Sequence, residues 1–168
     1  MHSQPAATSF GKKKPDISEM FLSGSVDAKL NYAAEKLGKE ITVGETFREK
    51  QFVDIKAVTK GKGFEGPVKR FGVKTQRPKA KKSRVVGSIG PWHPSTIMWT
   101  VARAGQMGYQ TRTEYNKRIL KVGSAPEEIN RNGGFENYSA LKNHFLVLSG
   151  SVPGPSKRVI GLRDAIRK

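Results

Sequence analysis

The chain has 168 residues, with 31 Lys and Arg against 14 Asp and Glu, a formal net charge of +17, and no cysteine. This length suits one domain with a core of its own, and the missing thiols exclude disulfides, thiolate catalysis and cysteine-bound zinc. The charge surplus points to a polyanionic partner rather than to a fold. With no apolar run near the roughly 18 residues of a membrane span, that partner reads as nucleic acid and not a membrane.

Residues 1–15 form a polar, irregular entry that closes on Lys12-Lys-Lys-Pro15. The Met1-His-Ser-Gln-Pro5 start lacks the apolar region of a signal peptide, which argues against secretion. Ile17, Met20, Phe21 and Leu22, ended by Ser23-Gly-Ser25, read as a strand. From Asp27 to Leu37, the spacing of Leu30, Ala33, Ala34 and Leu37 predicts a helix capped by Ser25 or Asp27 and stopped at Gly38. Ile41, Val43 and Phe47 suggest a short strand and turn.

Phe52-Val-Asp-Ile-Lys-Ala-Val-Thr59 is rich in β-branched residues and reads as a good strand. It leads into Lys60-Gly-Lys-Gly-Phe-Glu-Gly-Pro67, where glycines alternate with lysines. The glycine spacing matches neither GxxxxGK[ST] nor GxGxxG, so this is no nucleotide loop. It is a turn between a strand and a short helix, or a backbone-and-lysine cradle for phosphates, and the two readings are compatible.

Residues 66–113 contain no acid and ten lysines and arginines. Their middle, Thr75-Gln-Arg-Pro-Lys-Ala-Lys-Lys-Ser-Arg84, has nothing to bury and repels itself, so it is expected to be an extended arm. Gly90-Pro-Trp-His-Pro94 makes a stiff tip in which Trp92 is expected to be exposed and to stack or wedge. Ser95–Ala104 reads as a short helical turn with Trp99 in a core, broken by Gly105-Gln-Met-Gly108.

Thr113–Val122 alternates as a strand and Ser124–Gly134 is a loop. The nearly continuous apolar run Asn143–Ser149 reads as a central, buried strand. Ser156–Arg163 then returns as its hairpin partner across Gly150–Pro155. The fold expected is mainly β: a small β-barrel spanning residues 1–168 as a single domain, with a short helix and a long basic loop inserted at about 66–110.

Catalytic chemistry finds no support. His2, His93 and His144 are scattered, with His144 expected to be partly buried, and Glu127-Glu128 are adjacent in a loop. No metal-ligand spacing occurs, and neither an enzyme nor a cofactor is expected.

The stretches His2–Pro5, Phe52–Arg70, Ile89–Pro94, Val101–Tyr109, Arg112–Lys117, Gly133–Phe135 and Val152–Gly154 are similar to the universal large-subunit ribosomal protein L three family, in its archaeal and eukaryotic form. The resemblance implies a translation-protein-like β-barrel on the large subunit, in the cytoplasm, among neighbouring ribosomal proteins. It also implies an extension through rRNA whose tip, the tryptophan finger, approaches the peptidyl-transferase centre, with Trp92 as the finger residue. Family members are longer at both ends, so a piece of a longer protein is expected. Eukaryotic relatives carry a methylated histidine where this chain has Ala80. The basic run and the resemblance together nominate as RNA-binding Lys60, Lys62, Lys69, Arg70, Lys74, Arg77, Lys79, Lys81, Lys82, Arg84, Trp92, His93, Arg103, Arg112 and Lys117. The second reading is a free-standing RNA-binding barrel acting outside the ribosome.

Overall fold

The computed structural model describes residues 1–167. Their element order is α1 (Val26–Lys36), α2 (Val43–Thr46), β1 (Phe52–Val58), β2 (Gly63–Glu65), α3 (Pro67–Phe71), β3 (Gly105–Met107), β4 (Thr111–Gly123), β5 (Phe145–Leu148) and β6 (Gly161–Asp164). Short 3-10 turns lie at Pro5–Ala7 and Pro126–Glu128. The chain forms two compact units, one of Met1–Ala57 with Arg112 onward and one of Val58–Thr111. The mainly β class expected from the sequence is what the strands form: an open four-stranded sheet in the order β5-β4-β1-β6, and a two-stranded ribbon of β2 and β3.

In the first unit, β1 and β4 occupy the middle of the sheet and carry its core. Val53, Ile55 and Ala57 recur at the strand period of two and are buried, and Val53 and Ile55 pack with Ile119 of β4. Phe47, Val122, Leu146, Leu148, Val152 and Leu162 close around them. Each of the three wholly buried aliphatic side chains contributes about 1.5–3 kcal/mol through area withdrawn from water.

Asp54 points to the other face and is also buried. One carboxylate oxygen accepts from the Asn116 N–H at 3.1 Å. The other accepts from the Arg163 guanidinium at 3.3 Å and the Ile166 N–H at 3.4 Å. A buried charge is tolerable on these terms because both its oxygens are hydrogen-bonded.

Local signals account for several elements. The Ser25 side chain accepts from the Ala28 N–H and caps α1, with Asp27 in the first turn and Lys36 in the last, as the helix dipole favours. At the β4–β5 pairing, Gly123 faces Phe145. A Cβ on Gly123 would lie 2.2 Å from that ring, so glycine makes the space the ring fills.

Tertiary context overrides the sequence pattern elsewhere. Ile17–Leu22 is irregular rather than a strand, apart from one bridge between Ile17 and His2. The Ser18 N–H donates to the Met1 carbonyl at 3.0 Å, but among the described residues no ladder continues from there, and Phe21 stays exposed. Around Ile41–Phe47 the chain makes the short helix α2, not a strand, and the Lys36–Glu45 pair joins it to the end of α1.

β5 is an edge strand in which only Phe145 is buried. β6 pairs antiparallel with β1, Ile55 opposite Leu162, at the far edge, so residues 144–163 are not a hairpin. The apolar run of β5 serves one covered face, and Leu162 reaches the core through β1. His144, expected to be partly buried, is exposed.

Candidate nucleic-acid interface

The unit Val58–Thr111 begins at a neck where its two ends run side by side. The Thr59 N–H donates to the Gln110 carbonyl at 3.0 Å, and the Gln110 N–H donates to Thr59 Oγ1 at 3.2 Å. Next, the Tyr109 N–H reaches the Lys60 carbonyl at 3.3 Å and the Lys62 N–H reaches the Met107 carbonyl at 3.0 Å. β2 and β3 then pair with Phe64 opposite Gln106. Gly108 permits this approach: its φ is +69°, and a Cβ there would sit 2.0 Å from the Lys60 carbonyl oxygen.

Helix α3 follows β2: the short helix read after the Gly-Lys segment forms, but the segment read as a turn itself holds the strand β2. Pro67 opens it and Gly72, at φ +71°, closes it in the left-handed conformation, donating its N–H to Val68. Arg70 on this helix reaches across to β3. Its Nε donates to the Gln106 carbonyl at 3.2 Å and its Nη1 donates to the Arg103 carbonyl at 3.0 Å. The guanidinium lies flat over Gly105, where a Cβ would come within 2.9 Å of it. The planar fork of arginine matches two carbonyls at once, which a lysine ammonium does not. This structural use of Arg70 escapes sequence reasoning, because the carbonyls it meets lie more than thirty positions downstream.

Beyond the neck the basic arm, expected to be extended, closes into a turn. The Gln76 N–H donates to Ser83 and the Ala80 N–H to Arg77, both at 2.9 Å. Lys74, Arg77, Lys79, Lys81, Lys82 and Arg84 are all exposed around it. Among the described residues none of these six takes part in an ion pair. Their charges are therefore uncompensated by any ion pair among the described residues.

The remaining nominated residues fall into different settings. Lys60, Lys62, Arg103 and Arg112 are exposed. Lys69 pairs with Glu65 at 3.4 Å, from α3 back to the end of β2. Lys117, in the other unit, is mostly covered and pairs with Glu114 at 2.7 Å. Trp92 is 87% exposed, as its flanking prolines suggest, and His93 beside it is exposed too.

Trp99 differs from the sequence expectation. Residues 95–101 make bends and a turn, with the Val101 N–H donating to Met98, rather than a helical turn, and the Trp99 side chain is 92% exposed. Its apolar neighbours Ile97 and Met98 are themselves exposed. No described residue of this unit is buried, so there is no core for the indole to enter.

The described residues bring together no group of three metal-ligating side chains, and no helix among them is long and apolar enough to cross a membrane. The arrangement offers a cationic turn and two exposed indoles on a glycine-built neck.

The sequence profile of ribosomal protein L3 matches residues 1–168. The chain is 54% identical over 173 residues to the large ribosomal subunit protein uL3 of Methanobrevibacter smithii, covering 99% of this chain and 52% of that protein. Against the protein of the same name from Methanosphaera stadtmanae it is 53% identical over 173 residues, covering 99% and 51%. For the Archaeoglobus fulgidus protein the values are 52% over 163 residues, covering 95% and 49%. The chain spans about half the length of the curated relatives it matches. With a profile matched along its whole length and relatives above half identity, the chain belongs to the ribosomal protein L3 family.

Proposed function

We propose that this chain is a structural, non-catalytic component of the large ribosomal subunit that binds large-subunit rRNA through Val58–Thr111. The observation that carries the reading is the turn of six exposed, unpaired cations at 74–84 in a segment without acids. Neutralising phosphates there releases condensed counterions and supplies affinity. Fit of the folded turn to structured RNA supplies specificity. Membership of a family whose relatives are named large ribosomal subunit proteins selects rRNA among the polyanions.

In this reading Lys74, Arg77, Lys79, Lys81, Lys82 and Arg84 meet phosphates, Lys60, Lys62, Lys69 and Arg103 add cations to the same unit, and Arg112 and Lys117 meet RNA from the other unit. Arg70 holds the neck in shape, and Trp92 with His93 forms the tip that braces RNA close to the peptidyl-transferase centre. The open sheet is part of a translation-protein-like β-barrel that docks on the subunit beside neighbouring ribosomal proteins, with the basic segment as its inserted extension.

The test is the salt dependence of binding to large-subunit rRNA. Affinity should fall by about 0.7–0.9 log units per log unit of salt for each phosphate neutralised. Replacing Lys79, Lys81 and Lys82 together by Gln should flatten the slope by roughly two to three units. An unchanged slope would show that the turn is a solvated face and overturn the reading.

A further inference from the structure

Resting on the rRNA-binding reading above, we infer that Trp99 is a second RNA-stacking residue, taking an unpaired base as Trp92 does. Indole is the largest apolar side chain a protein has, and it contributes to stability only when withdrawn from water. Trp99 is withdrawn from nothing: it is the more exposed of the chain's two tryptophans, at 92% against 87%. The unit around it has no buried residue, and Ile97 and Met98 beside it also face solvent. Folding of this unit therefore leaves the ring with no partner.

The charge around it identifies the occupant. From residue 66 to 113 there is no acid and there are ten cations, a setting that attracts a polyanion. An apolar protein partner has no use for that surplus. Nucleobases present a π face whatever their identity, and they stack on exposed aromatic rings in grooves whose cations track the backbone. An exposed ring in an acid-free cationic segment is present here, so the bound group is an unpaired RNA base.

With only two tryptophans in the chain, Trp92→Phe leaves Trp99 as the sole indole emitter. In the free protein its emission should be quenched by acrylamide as readily as that of free tryptophan. Titration with transcribed archaeal large-subunit rRNA should quench it and shield what remains from acrylamide. Trp99→Ala should weaken rRNA binding about 5- to 150-fold at fixed salt, and Trp99→Phe less. Neither variant should move the salt slope or the unfolding midpoint of the free protein.

If rRNA binds with the salt slope expected of the lysine turn while Trp99 emission stays unchanged, this inference is wrong and the reading it rests on survives. If the triple lysine variant binds as tightly as the parent chain, the rRNA reading itself fails. Resistance of Trp99 to acrylamide in the free chain, together with a lowered unfolding midpoint for Trp99→Ala, would place the ring in a core and overturn the inference independently.

Discussion

In the unit formed by Met1–Ala57 and Arg112 onward, Val53, Ile55 and Ile119 are wholly withdrawn from water. Between Val58 and Thr111 no residue is buried at all. The second stretch also holds eleven lysines and arginines against the single acid Glu65, which is ten of the chain's seventeen surplus charges. One unit is held by apolar burial beneath a sheet. The other is held by backbone pairing, close-packed glycines and one guanidinium, a construction that leaves its side chains facing outward. The difference teaches that a strongly cationic surface can be built where no core forms, provided the backbone hydrogen bonds close its neck.

The comparison breaks first if stability does not reside in the sheet. Ile55→Ala removes a fully buried side chain from β1 and should cost about 2–5 kcal/mol of global stability, measured by urea unfolding. A loss under about 1 kcal/mol, the level of an average substitution, would show that the core is elsewhere.

Next comes the neck. Gly108→Ala places a methyl against the Lys60 carbonyl and forces a left-handed backbone on alanine. It should cost more than about 1 kcal/mol, and locally. Amide exchange should quicken at Lys62 and Tyr109, whose N–H groups bridge the neck, and stay slow at Ile119 in β4. Equal acceleration at all three would mean that the two units unfold as one.

Arg70→Lys keeps the charge and loses the fork to the Arg103 and Gln106 carbonyls. The expected cost is about 1 kcal/mol, the net worth of a hydrogen bond or two, seen as faster proteolysis between 72 and 104. Because charge is retained, the salt slope of rRNA binding should not change. Parental proteolysis would assign Arg70 to RNA contact alone.

The smallest effect belongs to the exposed pair Lys36–Glu45. The hydrogen bond and charge of Lys36 hold the Glu45 carboxyl below its ordinary 4.5, and Glu45 raises Lys36 above its ordinary 10.5. A depressed carboxyl gives stability that is present above about pH 4.5 and lost as pH falls through the lowered value. The raised amine adds stability present below about pH 10.5 and lost as pH rises through the raised value. Glu45→Gln should therefore flatten the acid limb of the thermal stability curve slightly, and added salt should erase the difference. A steeper acid limb would refute the pairing.

How much of this was legible in the chain itself can be followed residue by residue. β1, β4 and α1 stand where β-branched alternation and the Ser25 cap predict them, because those signals act between neighbours a few positions apart. Trp92 is exposed as its rigid flanking prolines suggest. The acid-free stretch, and the family motifs on either side of Trp92, mark the basic segment from the sequence alone.

Other outcomes needed partners that lie far along the chain. An apolar run of four residues is the same whether its strand lies central or at an edge, so the place of β5 was decided by β4 and β1 pairing with each other. β6 went to β1 and not to β5 because Leu162 completes the packing around Ile55. The Trp99 ring follows from there being no buried residue in its unit, a fact no local pattern contains. Arg70 reads as one more cation in a row of ten, and only the return of β3 brings the two carbonyls that occupy it. Local composition and period thus determined the charge, the caps and the interior strands. Tertiary structure decided which strands flank them, which indoles face water and which cation is used inside the protein, because each depends on contacts that form only when distant segments meet.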